Sequence, residues 1–224
     1  TASSKPTFNS SDISLNNKGS VSSASSDGSI GLSLPSTTLQ EIFIIAYYKD
    51  GTDNTFDSYN TLLSGPGQYG VYRITGTVNN ASWIGSHNFN SAGSFKNGSS
   101  SSSNTALPMP ATLLRFTSTT ARTETRAILY SNAHSDRGWL GGVGEIIGLS
   151  ATSSASDRQA TEGYLAHKWG LAASLPSNHS HKTVSFTRGP IVTTDATQSN
   201  AAGTYYIRPS DAASKKYSLT YVDG

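Results

Sequence analysis

Apolar and polar residues alternate with a period of two in several short runs of this chain, and each such run predicts a half-buried strand. Such runs are "SSDISLNN" (10–17), "GSIGLSL" (28–34), "YGVYRITGT" (69–77), "TLLRFTST" (112–119), "TRAILYSN" (125–132) and "GGVGEIIGLS" (141–150). "EIFIIAYY" (41–48) is apolar almost without a break, which predicts a central strand covered on both faces. Residues 79–105, "NNASWIGSHNFNSAGSFKNGSSSSSNT", hold no lasting period and predict a long exposed loop with a short strand inside it.

The period becomes helical only at "DRQATEGYLAHKWGL" (157–171). Ser156 reads as its N-cap, Asp157 favours the positive end of the helix dipole, and Lys168 favours the other end. Ala160, Tyr164, Leu165 and Trp169 fall near one face, Gly170 provides a stop, and Pro176 prevents any continuation. The pattern predicts an all-β fold of sandwich or jelly-roll type carrying one surface helix. From about residue 183 three further strand-like runs, "GPIVTT", "GTYYIRP" and "KYSLTYV", predict a second and incomplete β unit over 183–224.

Composition narrows the function classes. Only 13% of the 224 residues are charged and the formal net charge is +2, so no broad basic face exists to gather phosphates or anionic lipid. Nucleic acid and membrane surfaces are therefore not expected partners, and no apolar run reaches membrane-spanning length. The absence of cysteine excludes disulfides, thiolate metal sites and a cysteine nucleophile. With abundant Ser, Thr, Asn and Gly it fits an exported bacterial protein, extracellular or on the cell surface. A start at Thr1 predicts a processed product or a piece of a longer chain.

"GWLGGVGEIIGLSATSSASDRQATEGYLAHKWGLAASLPSNHSHK" resembles the C-terminal signature of bacterial LamG-like (concanavalin A-like lectin/glucanase) domains. In that family a Gly-x-x-Glu-Ile strand precedes a short helix ending in Tyr-Leu-x-x-Lys-Trp-Gly-Leu, and a Leu-Pro-x-x-His tail follows. The matching residues are Trp139, Gly144, Glu145, Ile146, Asp157, Gly163, Tyr164, Leu165, Lys168 to Leu171, Leu175, Pro176 and His179. "ASSKPTF", "NNKGSV" and "SSDGSIGLSLP" are similar to the family's early strands, so the resemblance spans about residues 2 to 182. It implies a jelly-roll β-sandwich over 1–182 with one short C-terminal surface helix. Two features depart from the family: its opening strand with a Trp and an Asp is missing, and Ser180 and His181 stand where a Pro and an aromatic residue are usual. "AAGTYYIRPSDAASKKYSLTYVDG" resembles the second half of an MBG-type Ig-like repeat, implying a partial Ig-like extension over 183–224.

The same fold hosts glucanases, so catalysis is the first chemistry to weigh. A retaining glycosidase needs two carboxyls about 5 to 5.5 Å apart, commonly at alternate positions of one strand. The four glutamates, Glu41, Glu124, Glu145 and Glu162, form no Glu-x-Asp-x-Glu arrangement, and no Gly-x-Ser-x-Gly elbow is present. No enzymatic activity is expected. Trp83, with His87, Asn88, Phe89 and Phe95 nearby in the polar loop, offers ring faces and amides of the kind that bind sugars. The same rings equally suit anchors that hold the loop down.

Asp50, Asp53 and Asp57 could gather oxygen ligands for Ca²⁺, although their spacing is not that of an EF-hand and solvated turn aspartates look alike. His179 and His181 are two apart, the spacing of a transition-metal pair, but without a third ligand they read better as a polar surface tail. Glu145 reads as a hydrogen-bond acceptor near the helix, and Trp139 and Trp169 as core. The expected function is a non-catalytic carbohydrate-binding or adhesion module with a glycan or cell-surface polysaccharide as partner. The alternative is a structural protomer or spacer of an extracellular filament, joined head to tail by β-strand addition, in which 183–224 pairs with the chain's own sandwich or with a neighbouring copy.

Overall fold

The computed structural model describes residues 5–23, 30–49, 61–65, 70–74, 77–79, 93–101, 105–106, 108–129, 138–183, 186–188, 191–194, 207–210 and 213–214. The chain divides into two units, Thr1–Lys182 and Thr183–Gly224. The first unit contains β1 (Thr7–Asp12), β2 (Lys18–Ser23), β3 (Leu32–Tyr48), β4 (Thr61–Ser64), β5 (Gly70–Ile74), β6 (Thr77–Asn79), β7 (Gly93–Lys96) and β8 (Ser99–Ser100). It continues with β9 (Thr105–Ala106), β10 (Met109–Ile128), β11 (Gly141–Leu149) and the helix α1 (Ala155–Lys168). Hydrogen bonds order the strands β1-β2-β11-β3-β10-β4-β5-β6-β9, with β7 on β10 and β8 on β7. All of these pairings are antiparallel. The described residues are thus mostly antiparallel β-sheet with one α-helix, the all-β class the pattern predicts.

Several predicted strands have other limits. Leu32–Leu34 of "GSIGLSL" and all of "EIFIIAYY" belong to one strand, β3, and "TLLRFTST" and Thr125–Ile128 of "TRAILYSN" to one strand, β10. In β10 nothing between the two runs favours a turn: "TTARTE" is rich in β-branched Thr, which prefers extended backbone. The irregularity is absorbed in the register, where Thr117 pairs with Glu41 but Arg122 already pairs with Leu39. Pro35, which lacks a ladder donor, falls within a second register shift, between the Leu34–Arg126 and Thr37–Glu124 pairs. "YGVYRITGT" divides into β5 and β6, with Ile74 opposite Thr77.

"SSDISLNN" is not a strand throughout. The Asp12 carboxylate accepts from Ser14 N–H at 2.9 Å and caps a 3-10 turn at Ile13–Leu15, and Asn16 and Asn17 take left-handed backbone with φ of 56° and 54°. Asx-type capping and asparagine's tolerance of that region outweigh the alternation. Inside the predicted loop, Asn97 and Gly98 have φ of 49° and 80°, and Phe95 pairs with Ser100. These are the dihedrals of a primed hairpin turn.

The central strand explains where the core lies. Along β3, Ile42, Ile44, Ala46 and Tyr48 join one apolar cluster with Leu114, Phe116, Leu62, Leu63, Ile128 and Trp139. The alternate residues Phe43 and Ile45 join a second cluster with Leu113, Leu165, Trp169, Leu171 and Leu175. Period-two side-chain alternation thus delivers one set to each face, and both faces are covered. Trp139 is fully buried and Trp169 is 4% exposed, so both are core residues as expected.

The N-cap of α1 is Ser154 rather than Ser156. Ser154 Oγ accepts from Asp157 N–H at 3.1 Å and donates to the Asp157 carboxylate at 2.7 Å, a reciprocal pair that requires three-residue spacing. Trp169 is the C-cap, and Gly170 just beyond it takes φ +74°, the left-handed conformation that ends the helix. Leu165 and Ala166 face the sheet, whereas Tyr164 is 48% exposed. Its hydroxyl is drawn outward to Glu145 at 3.0 Å, which overrides its place in the helical stripe.

The second unit holds β12 (Phe186–Arg188), β13 (Ile191–Thr194), β14 (Ile207–Ser210) and β15 (Ala213–Ser214). β12 pairs with β15 and β13 with β14, both antiparallel. The described ladders of this unit run within the segment. Partners close in sequence close a shorter loop.

Candidate functional site

Three constellations concentrate polar chemistry in the first unit. The deepest is built on Arg115, whose side chain is 5% exposed because it lies on the face of β10 that α1 covers. Arg115 Nη1 donates to Glu41 Oε1 at 2.8 Å, and Nε donates to Glu162 Oε1 at 3.1 Å. The Glu41 carboxylate also accepts from the backbone and hydroxyl of Ser153. The Phe95 ring covers the guanidinium, 3.4 Å from Cζ to the ring centroid. Burial holds the guanidinium below its ordinary value despite the flanking carboxylates.

Glu162 continues this chain to His179, whose Nε2 lies 3.1 Å from Glu162 Oε2. His179 Nδ1 accepts from His181 N–H at 3.2 Å, which leaves Nε2 to donate. With both nitrogens engaged and only 8% exposure, His179 belongs to the interior and not to a polar surface tail, and it is not available to a metal paired with His181. Aspartate or glutamate partners across elements are invisible to a reading by spacing, which is why this placement is missed.

The second constellation centres on Glu145. Its carboxylate accepts from Trp169 Nε1 at 2.8 Å, Tyr164 hydroxyl at 3.0 Å and Lys168 Nζ at 3.1 Å. Burial pushes the carboxyl upward, but these three donors outweigh it and hold it below the usual carboxylate range. Gly144 makes the approach possible, since a Cβ there would stand 2.6 Å from the Trp169 ring. Glu145 is the helix-side acceptor the sequence predicts.

The third constellation is an open groove at the end of β3. One cavity of about 310 Å³ is lined by Pro108, Met109, Pro110 and Ala111 along with Tyr48. A second, of about 300 Å³, is lined by Thr7, Asn9, Ser22 and Ser23. Ser14, Tyr47 and Lys49 line both, so the two adjoin. The half-buried Tyr47 ring is fixed at two points. Its hydroxyl donates to Asp12 Oδ2 at 3.1 Å, and Gly142 lies against the ring, where a Cβ would come within 2.6 Å of Cε1. Burial, followed by the Asp12 charge and hydrogen bond, raises the Tyr47 phenol to about 12. Asp12 is itself held by Ser20 Oγ at 2.6 Å.

Of the predicted sugar-binding residues, Phe95 packs on Arg115, while Trp83, His87, Asn88 and Phe89 lie outside the described residues. Asp50, Asp53 and Asp57 lie outside them too. Among the described residues no group of three His, Asp or Glu side chains is placed to hold a metal ion. Comparison with protein families, curated proteins and solved structures returned no match.

Proposed function

We propose that this chain is a non-catalytic carbohydrate-binding or adhesion module of a bacterial cell-surface or extracellular protein. In this reading the first unit is a LamG-like, concanavalin A-like jelly-roll sandwich and the second a partial Ig-like extension. The antiparallel sheet, the apolar clusters on both faces of β3 and the Glu145–Trp169 link between β11 and α1 support the fold assignment.

The observation that carries the function is the Tyr47 groove, in which a fixed aromatic ring adjoins hydroxyls, the Asn9 amide and the Lys49 ammonium. A pyranose presents an apolar face to such a ring and its hydroxyls to such donors and acceptors. A binding role without hydrolysis is supported by the fate of Glu41 and Glu162. Both are 2% exposed at the side chain and share Arg115, so neither is free to protonate a glycosidic oxygen.

The test is a glycan array probed with and without Ca²⁺, the second arm reporting on Asp50, Asp53 and Asp57. Saturable binding that Tyr47→Ala abolishes is the expected result. Silence toward all glycans in both arms overturns the reading.

A second reading, a filament protomer assembled by strand addition, is favoured by β1. That strand ends the hydrogen-bonded order of the described sheet, with Phe8 69% and neighbouring Ile13 86% exposed. Concentration-dependent association by light scattering, abolished by a proline at Ser10, is its expected signature.

A further inference from the structure

The first apolar cluster, on the face of β3 opposite α1, carries two adjoining hollows of about 240 and 250 Å³ that share Leu34, Ile128 and Ile146. They have no lining residue in common with the Tyr47 groove. The polar residues of their linings are Thr37 and Arg126 in the first and Glu145 in the second. Each already has partners in the fold. Thr37 Oγ1 donates to the Pro35 carbonyl at 2.8 Å, and Arg126 donates from Nη1 to the Thr37 carbonyl at 2.8 Å while Nη2 pairs with Glu124 Oε1 at 3.1 Å. The Glu145 carboxylate is taken by Trp169, Tyr164 and Lys168. An occupant therefore gains here by burying hydrocarbon, and one rich in hydroxyls would give up water for few free partners.

Beside the first hollow stands a cation without a counterpart. Arg122 lies opposite Leu39, which lines that hollow, and its carbonyl accepts from Arg126 Nη2 at 3.2 Å. Among the described residues, Arg122 Nε is the one buried side-chain nitrogen or oxygen with no hydrogen-bond partner, and its guanidinium enters no ion pair. Glu124, two residues along the strand, is paired with Arg126. A buried donor left unmatched is costly, and more so on a charged group, so an acceptor brought to this place recovers free energy that the empty site forgoes. We infer that the hollows bind an aliphatic carboxylate, its chain along Leu34, Ile128 and Ile146 and its head on Arg122. The planar guanidinium presents Nε and Nη hydrogens in the fork that matches two carboxylate oxygens. An alcohol of equal length buries the same chain but brings no charge. This site lies apart from the Tyr47 groove, and the inference does not depend on the carbohydrate reading.

Calorimetry on the full chain with octanoate and 1-octanol separates the chain from the head. Octanoate should bind saturably and about ten- to a hundredfold more tightly than 1-octanol, the size of one hydrogen bond to a charged group. Arg122→Met, which keeps an apolar stem and removes the donors, should bring octanoate down to the affinity of the alcohol and leave the alcohol unchanged. The same variant should leave the melting temperature of the free protein unchanged or raise it, since it deletes an unmatched buried donor. Leu34→Trp, at a half-buried position shared by both hollows, should exclude both probes. Equal affinities for the two probes, octanoate binding that survives Arg122→Met, or no binding of either probe overturns the inference. A clear fall in the melting temperature of Arg122→Met overturns it too, because Nε would then have a partner in the fold. Self-association by light scattering that Leu34→Trp abolishes and octanoate does not compete would place a second copy on the hollows instead.

Discussion

Arg115 sits where a lone charge is least tolerated, between two carboxylates and beneath an aromatic ring, with its side chain 5% exposed. Replacing one member of a buried ionic set strands the others, at about 3–5 kcal/mol, whereas replacing the whole set by apolar residues of similar volume is often neutral or stabilising. Arg115→Ala should therefore lose about 3–5 kcal/mol in urea denaturation. Because Glu162 also holds the buried His179, the whole set is replaced only by Glu41→Leu, Arg115→Met, Glu162→Leu and His179→Leu together; this variant should lose clearly less, and a larger loss would show that the charges hold the fold by more than mutual compensation. Glu145 makes a separate, pH-dependent contribution. Its carboxyl is lowered in the folded state, so its stabilisation is present above the unfolded carboxylate value and disappears as pH falls through the lower folded one. Stability measured from neutral pH into the acid range should fall less steeply in Glu145→Gln than in the parent, and parallel curves would show that the three donors do not distinguish its protonation states.

At the scale of elements, α1 is fastened to the sheet by one residue more than any other. Trp169 lies in the second apolar cluster, is 4% exposed and donates from Nε1 to Glu145 at 2.8 Å. Trp169→Ala should cost about 3–5 kcal/mol, since the cavity beneath the helix adds to the lost burial. For a chain of this size that is a fall in melting temperature of roughly 6–20 °C. A near-unchanged melting temperature would make the helix peripheral. This element was the most legible in the sequence, because its 3.6 period, acidic first turn and terminal glycine all act locally. Its cap was misplaced by two residues, although the Ser154–Asp157 spacing was there to read. The β3 core was legible for the same local reason, an unbroken apolar run. The lengths of β3 and β10 were not, because a bulge opposite Gln40 replaces the turn that alternation alone leads one to expect. "KNGS" carried the Asn-Gly hairpin signal inside what otherwise reads as loop.

The Tyr47 groove draws on residues from 7 to 111, and its polar wall consists of Ser, Thr and Asn, too common here to single out before folding brings them together. The molecule as a whole raises the related question of whether its two units need each other. Among the described residues, both apolar clusters draw their buried members from Leu15 to Leu175. Against this, adjoining apolar hollows of about 240 and 250 Å³ share Leu34, Ile128 and Ile146, and Leu32 at their rim is 40% exposed. Exposed apolar surface of this kind favours association when nothing covers it. A chain ending at Lys182 should unfold cooperatively, with a melting temperature within a few degrees of the corresponding transition in the full chain, because core burial dominates stability. Circular dichroism and light scattering on the two chains measure both halves of the question. If the shorter chain instead melts far lower or aggregates, the first unit is not an independent domain.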